Sequence, residues 1–234
     1  SMTTNGTSPV ATITQLRKAG LDVLSVSLDH WTDGVCETIR CHTGIKAKQE
    51  QKLRYARHIG MRVYALAYLS SFLCEEGAVE TFVHYVNDAV GVPVAFCFPT
   101  SCDENTYRLS GVGPDVEYAR LGQTVQAILH LKREGYHILN PTIYLEDTLR
   151  FLQRKPPAVD CKGGEEVVYV DWRGDVFPCF LQSKLFNVLE DRPRFLNHVH
   201  CSRCVINCFR EPSIFAQFPR RSLAASHDYQ ILSF

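Results

Sequence analysis

The stretch from Cys161 to Cys208 constrains this chain more than any other. It reads C-x12-G-x4-C through Cys161, Gly174 and Cys179, then C-x2-C-x3-C through Cys201, Cys204 and Cys208. Between the first two cysteines, Val167 to Val170 are β-formers and Asp171 to Asp175 has turn chemistry around Gly174. Val176-Phe177 then resumes an extended pattern. A hairpin there brings Cys161 and Cys179 back towards each other. Cys201-x2-Cys204 is a tight knuckle that offers two thiolates from one turn. Four soft ligands from two such pieces can make a tetrahedral all-sulfur shell, which suits zinc or an iron–sulfur cluster. Spacing alone leaves those two open. Cys208 is a fifth thiol, either spare or a substitute for Cys201 or Cys204. Disulfides are disfavoured, because a chain of this size does not need them and no secretory signal is visible.

Length and charge exclude several function classes. At 234 residues the chain holds one large domain or one and a half. Its 25 basic and 25 acidic residues cancel and form no long runs, so a nucleic-acid partner is not suggested. No apolar run approaches the length of a membrane span. Ten cysteines in such a chain point to a reducing, cytoplasmic compartment, where thiols ligate metal.

From the start, Thr3 to Thr7 reads as a strand end and a turn, with Gly6 free to take a positive φ. Ser8 is a fit N-cap and Pro9 a fit first position for a helix that Gly20 closes. Val23 to Leu28 reads as a strand in which Leu24, Val26 and Leu28 alternate with Ser25, Ser27 and Asp29. Lys46 to Ile59 reads as a helix, Met61 to Tyr68 as a strand, Glu75 to Ala89 as a helix and Val92 to Phe98 as a strand. Ser101 to Pro114 has loop composition. Asp115 to Glu134 has helical spacing at Tyr118, Leu121, Val125 and Ile128. A short strand, His137 to Leu139, and a second cap-then-proline pair, Asn140-Pro141, precede a helix carried by Leu145, Leu149 and Leu152.

Strand and helix thus alternate to about residue 153, which demands parallel strands covered by helices. Four strands and a fragment of a fifth are too few for an eight-stranded barrel. The expected fold is α/β: a partial parallel (β/α) barrel lacking its first strands over residues 1–157, then a small cysteine-rich β-hairpin domain over 158–234, with Lys155-Pro156-Pro157 as linker. Ligands of such sheets sit beyond the carboxyl ends of the strands. Here those ends carry Thr4, Asn5, Ser27, Asp29, His30, Tyr68, Ser70, Pro99 and Thr100. Each has a plainer role: Asp29 as a cap, His30 as a packed loop residue, Thr4 and Asn5 as turn formers. The polar face of Ser25, Ser27 and Asp29 weighs more, because a strand covered on both sides is ordinarily apolar on both. Tyr64, Tyr68, His30 and the loop from Asp103 to Tyr107 are pocket candidates, and none is singled out as catalytic.

Thr4-Asn5-Gly6, Ala19-Gly20-Leu21, Val26-Ser27-Leu28-Asp29 and Ile39-Arg40 with Gly44 beyond resemble the third and fourth strands of the radical S-adenosylmethionine (SAM) enzymes, whose fold is a partial (β/α)6 barrel. C-x12-G-x4-C followed by C-x2-C resembles the SPASM and twitch extensions of that family. The resemblance implies that Ser27 and Arg40 contact SAM, Arg40 at its carboxylate, and that Thr4 and Asn5 contact substrate. It implies that Cys161, Cys179, Cys201 and Cys204 hold an auxiliary [4Fe-4S] cluster in the shorter, twitch-like form. It also implies a 5′-deoxyadenosyl radical that abstracts hydrogen from a peptide or small-molecule substrate, fed by an electron donor such as flavodoxin or ferredoxin. The family's C-x3-C-x2-C signature, which binds a second [4Fe-4S] cluster and SAM, is not in this sequence. The expectation is therefore the later part of a longer enzyme, inactive alone. The alternative is a non-catalytic binding or scaffold module with a structural zinc site of four cysteines. A one-cluster electron carrier fits poorly, since it needs no strand–helix units with a polar inner wall.

Overall fold

A computed structural model describes residues 1–99, 116–190, 201–202 and 204–217. The chain divides into two compact units. The first comprises residues 1–97 and 118–140; the second holds 98–99, 116–117 and the described residues from 141 on. The division falls between Asn140 and Pro141, so the helix that follows, read from sequence with the barrel, groups with the cysteine-bearing residues.

The first unit is a four-stranded parallel sheet of β1 (Met2–Thr4), β2 (Val23–Ser27), β3 (Arg62–Tyr68) and β4 (Val94–Cys97). Its spatial order is its sequence order. No strand order reverses, so the sheet has no switch-point crevice of the doubly wound kind and is built as a barrel wall is. The crossovers carry α1 (Val10–Lys18), α2 (Asp33–Arg40), α3 (Ile45–His58), α4 (Ala78–His84) and, after β4, α5 (Tyr118–Arg133). Leu24, Val26, Val63, Ala65, Val94 and Phe96 form the buried apolar face of the sheet, and Phe82 of α4 packs on Phe96 with ring centroids 6.3 Å apart. A hydroxyl pair, Thr14 to Tyr55 at 2.7 Å, ties α1 to α3.

Several local expectations are corrected. The helix expected through Ala89 is α-helical only to His84; Tyr85–Val90 is a π-turn closed by the Gly91 amide on the Val86 carbonyl at 2.9 Å. Neither expected cap works as one. Pro9 and Pro141, not Ser8 and Asn140, occupy the positions before α1 and α6 (Thr142–Leu152), and neither helix has a side-chain cap. The Asn140 side chain instead pairs with the backbone of Phe96, accepting its N–H at 2.7 Å and donating to its carbonyl at 3.0 Å. A carboxamide has the donor and acceptor of a peptide unit, so it extends the free edge of β4. The strand expected at 137–139 is one parallel bridge, Val94 to Ile138. Tyr118, expected on the buried face of α5, is exposed. Thr100 and the loop from Ser101 to Pro114 lie outside the described residues.

In the second unit, β5 (Tyr169–Val170), β6 (Asp175–Phe177) and β7 (Phe186–Asn187) form an antiparallel sheet. The hairpin expected between Cys161 and Cys179 is present. Gly174 turns it at φ +82°, where a Cβ would meet the Leu189 side chain at 3.1 Å, and Asp171 Oδ1 accepts the amides of Arg173 and Asp175, each at 2.9 Å. The helix α7 (Asn207–Gln217) is joined to α6 by a buried ion pair, Arg210 Nη2 to Asp147 Oδ2, and by Tyr144 Oη donating to the Val205 carbonyl at 2.6 Å. Tyr144, Leu145, Asp147 and Thr148 are the buried face of α6, whereas Leu149 and Leu152 are only half-buried.

Candidate functional site

Strand register decides which residues line the face of the sheet opposite the apolar one. Thr3 is level with Ser25, Ser25 with Tyr64, Ser27 with Leu66, and Tyr68 with Cys97. Neighbours level in a parallel sheet share a face. That face therefore carries Thr3, Ser25, Ser27, Tyr64, Leu66, Tyr68 and Cys97. Ser25 is buried, and its hydroxyl pairs with Thr3 Oγ1 at 2.6 Å. Ser27, the last residue of β2, is buried, and no described residue takes its hydroxyl. The polar inner wall read from the alternation of β2 is thus present.

Thr4 is level with Val26, on the apolar face. Its Oγ1 accepts the Gly6 amide at 3.2 Å, and Asn5 Oδ1 accepts the amide and hydroxyl of Thr7 at 3.1 and 2.8 Å. Both residues serve the turn after β1, and Thr3 is the β1 residue on the inner face. That turn is tight. Gly6 has φ +81°, and a Cβ on it would stand 2.8 Å from Gln49 Cγ. The buried Gln49 donates to the Asn5 carbonyl at 3.2 Å.

Beyond β2 the chain places Asp29, fully buried, against the end of β3. Asp29 Oδ1 accepts the Tyr68 amide at 3.3 Å, continuing the sheet ladder with a carboxylate. Arg40, at the end of α2, closes on the same carboxylate in a fork: Nε to Oδ2 at 2.5 Å and Nη2 to Oδ1 at 2.9 Å. Sequence reading missed α2 altogether. Its signals were Asp33 in the first turn and the apolar spacing of Val35, Cys36 and Ile39. Cys36 is its buried anchor: the thiol donates to the His30 carbonyl at 3.1 Å, and burial pushes it up to about 11. His30 is buried too, its ring stacked on Trp31. Burial lowers its pKa, and the neighbouring Glu75 carboxylate partly opposes this. A cavity of about 640 Å³ lies at the other end of β4, lined by Asn87, Pro93, Tyr136 and His137 among others, away from these residues.

In the second unit, Cys161 packs with Ile206 and Phe209, and Cys179, Cys204, Tyr169 and Phe180 pack against that cluster. A Cβ on Gly163 would meet Cys161 Sγ at 3.4 Å and Cys179 Cβ at 3.9 Å, so these two residues flank one point. Two sulfurs already accept a backbone N–H from two residues on: Leu181 to Cys179 at 3.4 Å, and Ile206 to Cys204. Burial pushes the Cys204 thiol up to about 11; the Ile206 bond opposes this, and the charges of Cys201, Cys161 and Cys179 add to it. Cys161, Cys179 and Cys204 thus share one apolar neighbourhood, and Cys201 lies close enough to Cys204 for its charge to act there. Among the described residues, no three of His, Cys, Asp and Glu are gathered so as to hold a metal ion, and no described cysteine is in a disulfide. Cys208 is exposed at the start of α7.

No protein-family model matches the sequence, and no curated protein matches it. Solved structures do. Native anSMEcpe with bound AdoMet and Kp18Cys peptide is similar at TM-score 0.57 and 14% identity, covering 81% of this chain and 54% of that one. Streptococcus suis SuiB is similar at TM-score 0.58 and 14% identity, over 81% of this chain and 46% of that one, and again in its form bound to S-adenosylmethionine. The chain spans about half the length of the structures it matches. Its four-stranded parallel sheet with helices therefore has the fold of the radical SAM partial barrel.

Proposed function

We propose that this chain forms part of a radical SAM enzyme, with its SAM site at the carboxyl ends of β2 and β3. The carrying observation is the buried polar strand end, where an unpartnered Ser27 hydroxyl adjoins the Asp29–Arg40 fork on the inner side of a sequentially ordered sheet. The likeness to structures that hold AdoMet supports it. In this reading Ser27 contacts SAM, and Arg40 meets its carboxylate while Asp29 fixes the guanidinium plane. Thr4 and Asn5 shape the turn that borders the substrate. The substrate is a peptide or a small molecule, and one of the matched structures carries a peptide.

Cys161, Cys179, Cys201 and Cys204 would hold an auxiliary [4Fe-4S] cluster. The amides of Leu181 and Ile206 would stabilise two of the thiolates, and Phe209 and Ile206 would keep water from them. The bound cofactors supply the chemistry: a one-electron reduction that cleaves SAM to a 5′-deoxyadenosyl radical for hydrogen abstraction. The electron comes from a small carrier such as flavodoxin or ferredoxin, in the cytoplasm. No helix among the described residues is long and apolar enough to cross a membrane.

Two measurements test the reading. Anaerobic iron–sulfide reconstitution is expected to load about four iron per chain with an iron–sulfur chromophore, and Cys161→Ala with Cys204→Ala to abolish it. One zinc and a colourless chain would instead support the scaffold reading, with a structural zinc held by the same four thiolates. Calorimetric titration with SAM should show binding that Ser27→Ala weakens.

A further inference from the structure

The cleft of about 640 Å³ at the amino end of β4 takes no part in the reading above. It lies wholly within the first unit, and its volume is that of a small-ligand site. One wall is the π-turn and its exit, drawn from residues 87–93; the other is the chain leaving α5, residues 134–137. Asn87 ties the walls together. Its Nδ2 donates to the Val92 carbonyl at 3.0 Å, and its Oδ1 accepts the His137 amide at 2.7 Å. The cleft is thus built on a braced piece of backbone, and π-turns within helices are frequent at functional sites.

Its charge has one sign. Two helices end there: the run from Ala78 to Val90 stops at Gly91, φ +79°, and α5 stops ahead of Gly135, φ +96°. The last carbonyls of a helix carry about half a negative charge. Two carboxylates add to this, since Asp88 and Glu134 both line the cleft. Each has a histidine within ion-pair distance, His84 at 3.5 Å and His130 at 3.3 Å, and among the described residues neither has a Lys or Arg there. Lys132, in the last turn of α5, is buried and donates to the Ile138 and Asn140 carbonyls, each at 2.8 Å. One cation of the chain does come to the rim: the Arg57 guanidinium lies where a Cβ on Gly91 would stand. An exposed carboxylate alone attracts weakly, but a cleft lined by one sign of charge focuses the field.

We propose that this cleft is a second binding site, which takes an organic cation, an ammonium or guanidinium group, at the sheet edge opposite the proposed SAM site. Asp88 and Glu134 supply the counter-charge, the two helix ends supply acceptors, and Tyr136 supplies an aromatic wall. Tyr136 is held in place by its Oη on His84 Nδ1 at 2.9 Å and by an edge contact of the two rings, centroids 4.6 Å apart. A metal ion does not suit the site, because no three of His, Cys, Asp and Glu are gathered there among the described residues. Two sources carry the group: a free diamine or polyamine, and a lysine or arginine side chain in a basic segment of a partner. The proposal stands apart from the SAM reading, since the two sites share no residue.

Proton–nitrogen NMR of the 234-residue chain tests it, at about pH 8, above the ordinary histidine range. The probes are putrescine and the blocked dipeptide acetyl-Lys-Arg-amide, which carry equal charge. Saturable shifts are expected at the amides of Asp88, Gly91, Gly135 and His137, weakening as salt is added. Tighter binding of putrescine assigns a free amine; tighter binding of the dipeptide assigns a partner's basic segment. Diacetylputrescine has the same chain without charge and should shift nothing. The Asp88 and Glu134 side chains are 70% and 49% exposed, so Asp88→Asn with Glu134→Gln should fold and bind the better probe roughly fivefold or more weakly. Glu76→Gln, exposed and outside the cleft, should bind as the parent does. No saturable shift with either dication at millimolar concentration, equal shifts from diacetylputrescine, or unchanged affinity in the double variant overturns the proposal.

Discussion

Asp29→Asn separates the carboxylate from its shape and is the sharpest test of how the site is held. The D29N side chain keeps the volume and one oxygen but turns a second acceptor into a donor facing Arg40. Asp29 is fully buried and accepts three N–H groups, at 2.5, 2.9 and 3.3 Å. Removing one member of a buried ion pair costs about 3–5 kcal/mol. Arg40 lowers that figure, because its side chain is 30% exposed and regains water. We expect a loss of about 2–3 kcal/mol, or roughly 10 °C in Tm for a unit of this size. Because the chain has two units, the first must be followed locally. Trp31, next to His30, is such a probe, and the measurement belongs in a Trp172→Phe background, since Trp172 in the second unit is 80% exposed. Denaturant unfolding of D29N, Arg40→Ala and the double variant gives the coupling energy, expected at about 1.5 kcal/mol or more. A coupling under about 0.5 kcal/mol would mean that the fork contributes nothing, and the argument that Asp29 orients Arg40 would fall.

Other perturbations follow from single contacts. Asn140→Ala strips the partners from the Phe96 N–H and carbonyl and should cost about 2–4 kcal/mol, with amide exchange at Phe96 accelerating most. Gly6→Ala puts a Cβ 2.8 Å from Gln49 Cγ at φ +81°. Its backbone strain alone is about 1–2 kcal/mol, and a Tm within 2 °C of the parent would contradict it. Cys36 gives a pH dependence. Its thiol ionises near 9.0 when unfolded and is pushed up to about 11 by burial in the fold. The unfolded chain therefore releases the proton first. The stabilisation is complete below pH 9 and disappears as pH rises to 11, a change of about 2–3 kcal/mol. The stability gap between the parent chain and Cys36→Ala should narrow across that window, and a constant gap would refute it.

Much of the fold was legible because long crossovers leave few choices. The alternation of Leu24, Val26 and Leu28 with Ser25, Ser27 and Asp29 announced a strand with a polar wall, and register with β3 shows that wall shared by Tyr64 and Tyr68. The hairpin around Gly174 was equally plain, since a positive φ was needed there. What failed were rules about local partners. Ser8 and Asn140 look like caps, but tertiary neighbours decide how a side-chain amide is used, and Asn140 is drawn to the free edge of β4. The π-turn at Tyr85–Val90 has no period of its own in a sequence that reads as continuous helix.

The site itself was legible by address and not by role. Adjacent threonines on a three-residue edge strand carry no period that tells inside from outside. Only pairing with β2 shows that Thr3 faces the inner wall and Thr4 the helices. Arg40 was found as a cation eleven residues beyond Asp29, but nothing in that interval says that the two meet, because the helix between them, α2, went unread. Once α2 is in place the consequence is physical. A buried carboxylate cannot be left unpaired, and the nearest guanidinium must supply its fork. In the proposed site an anion at that edge would meet an arginine whose orientation is already set, and neutral donors such as Ser27, whose hydroxyl no described residue takes. The pair that would preorganise that site also holds β2 to β3, so under the proposed reading recognition and stability would be lost together.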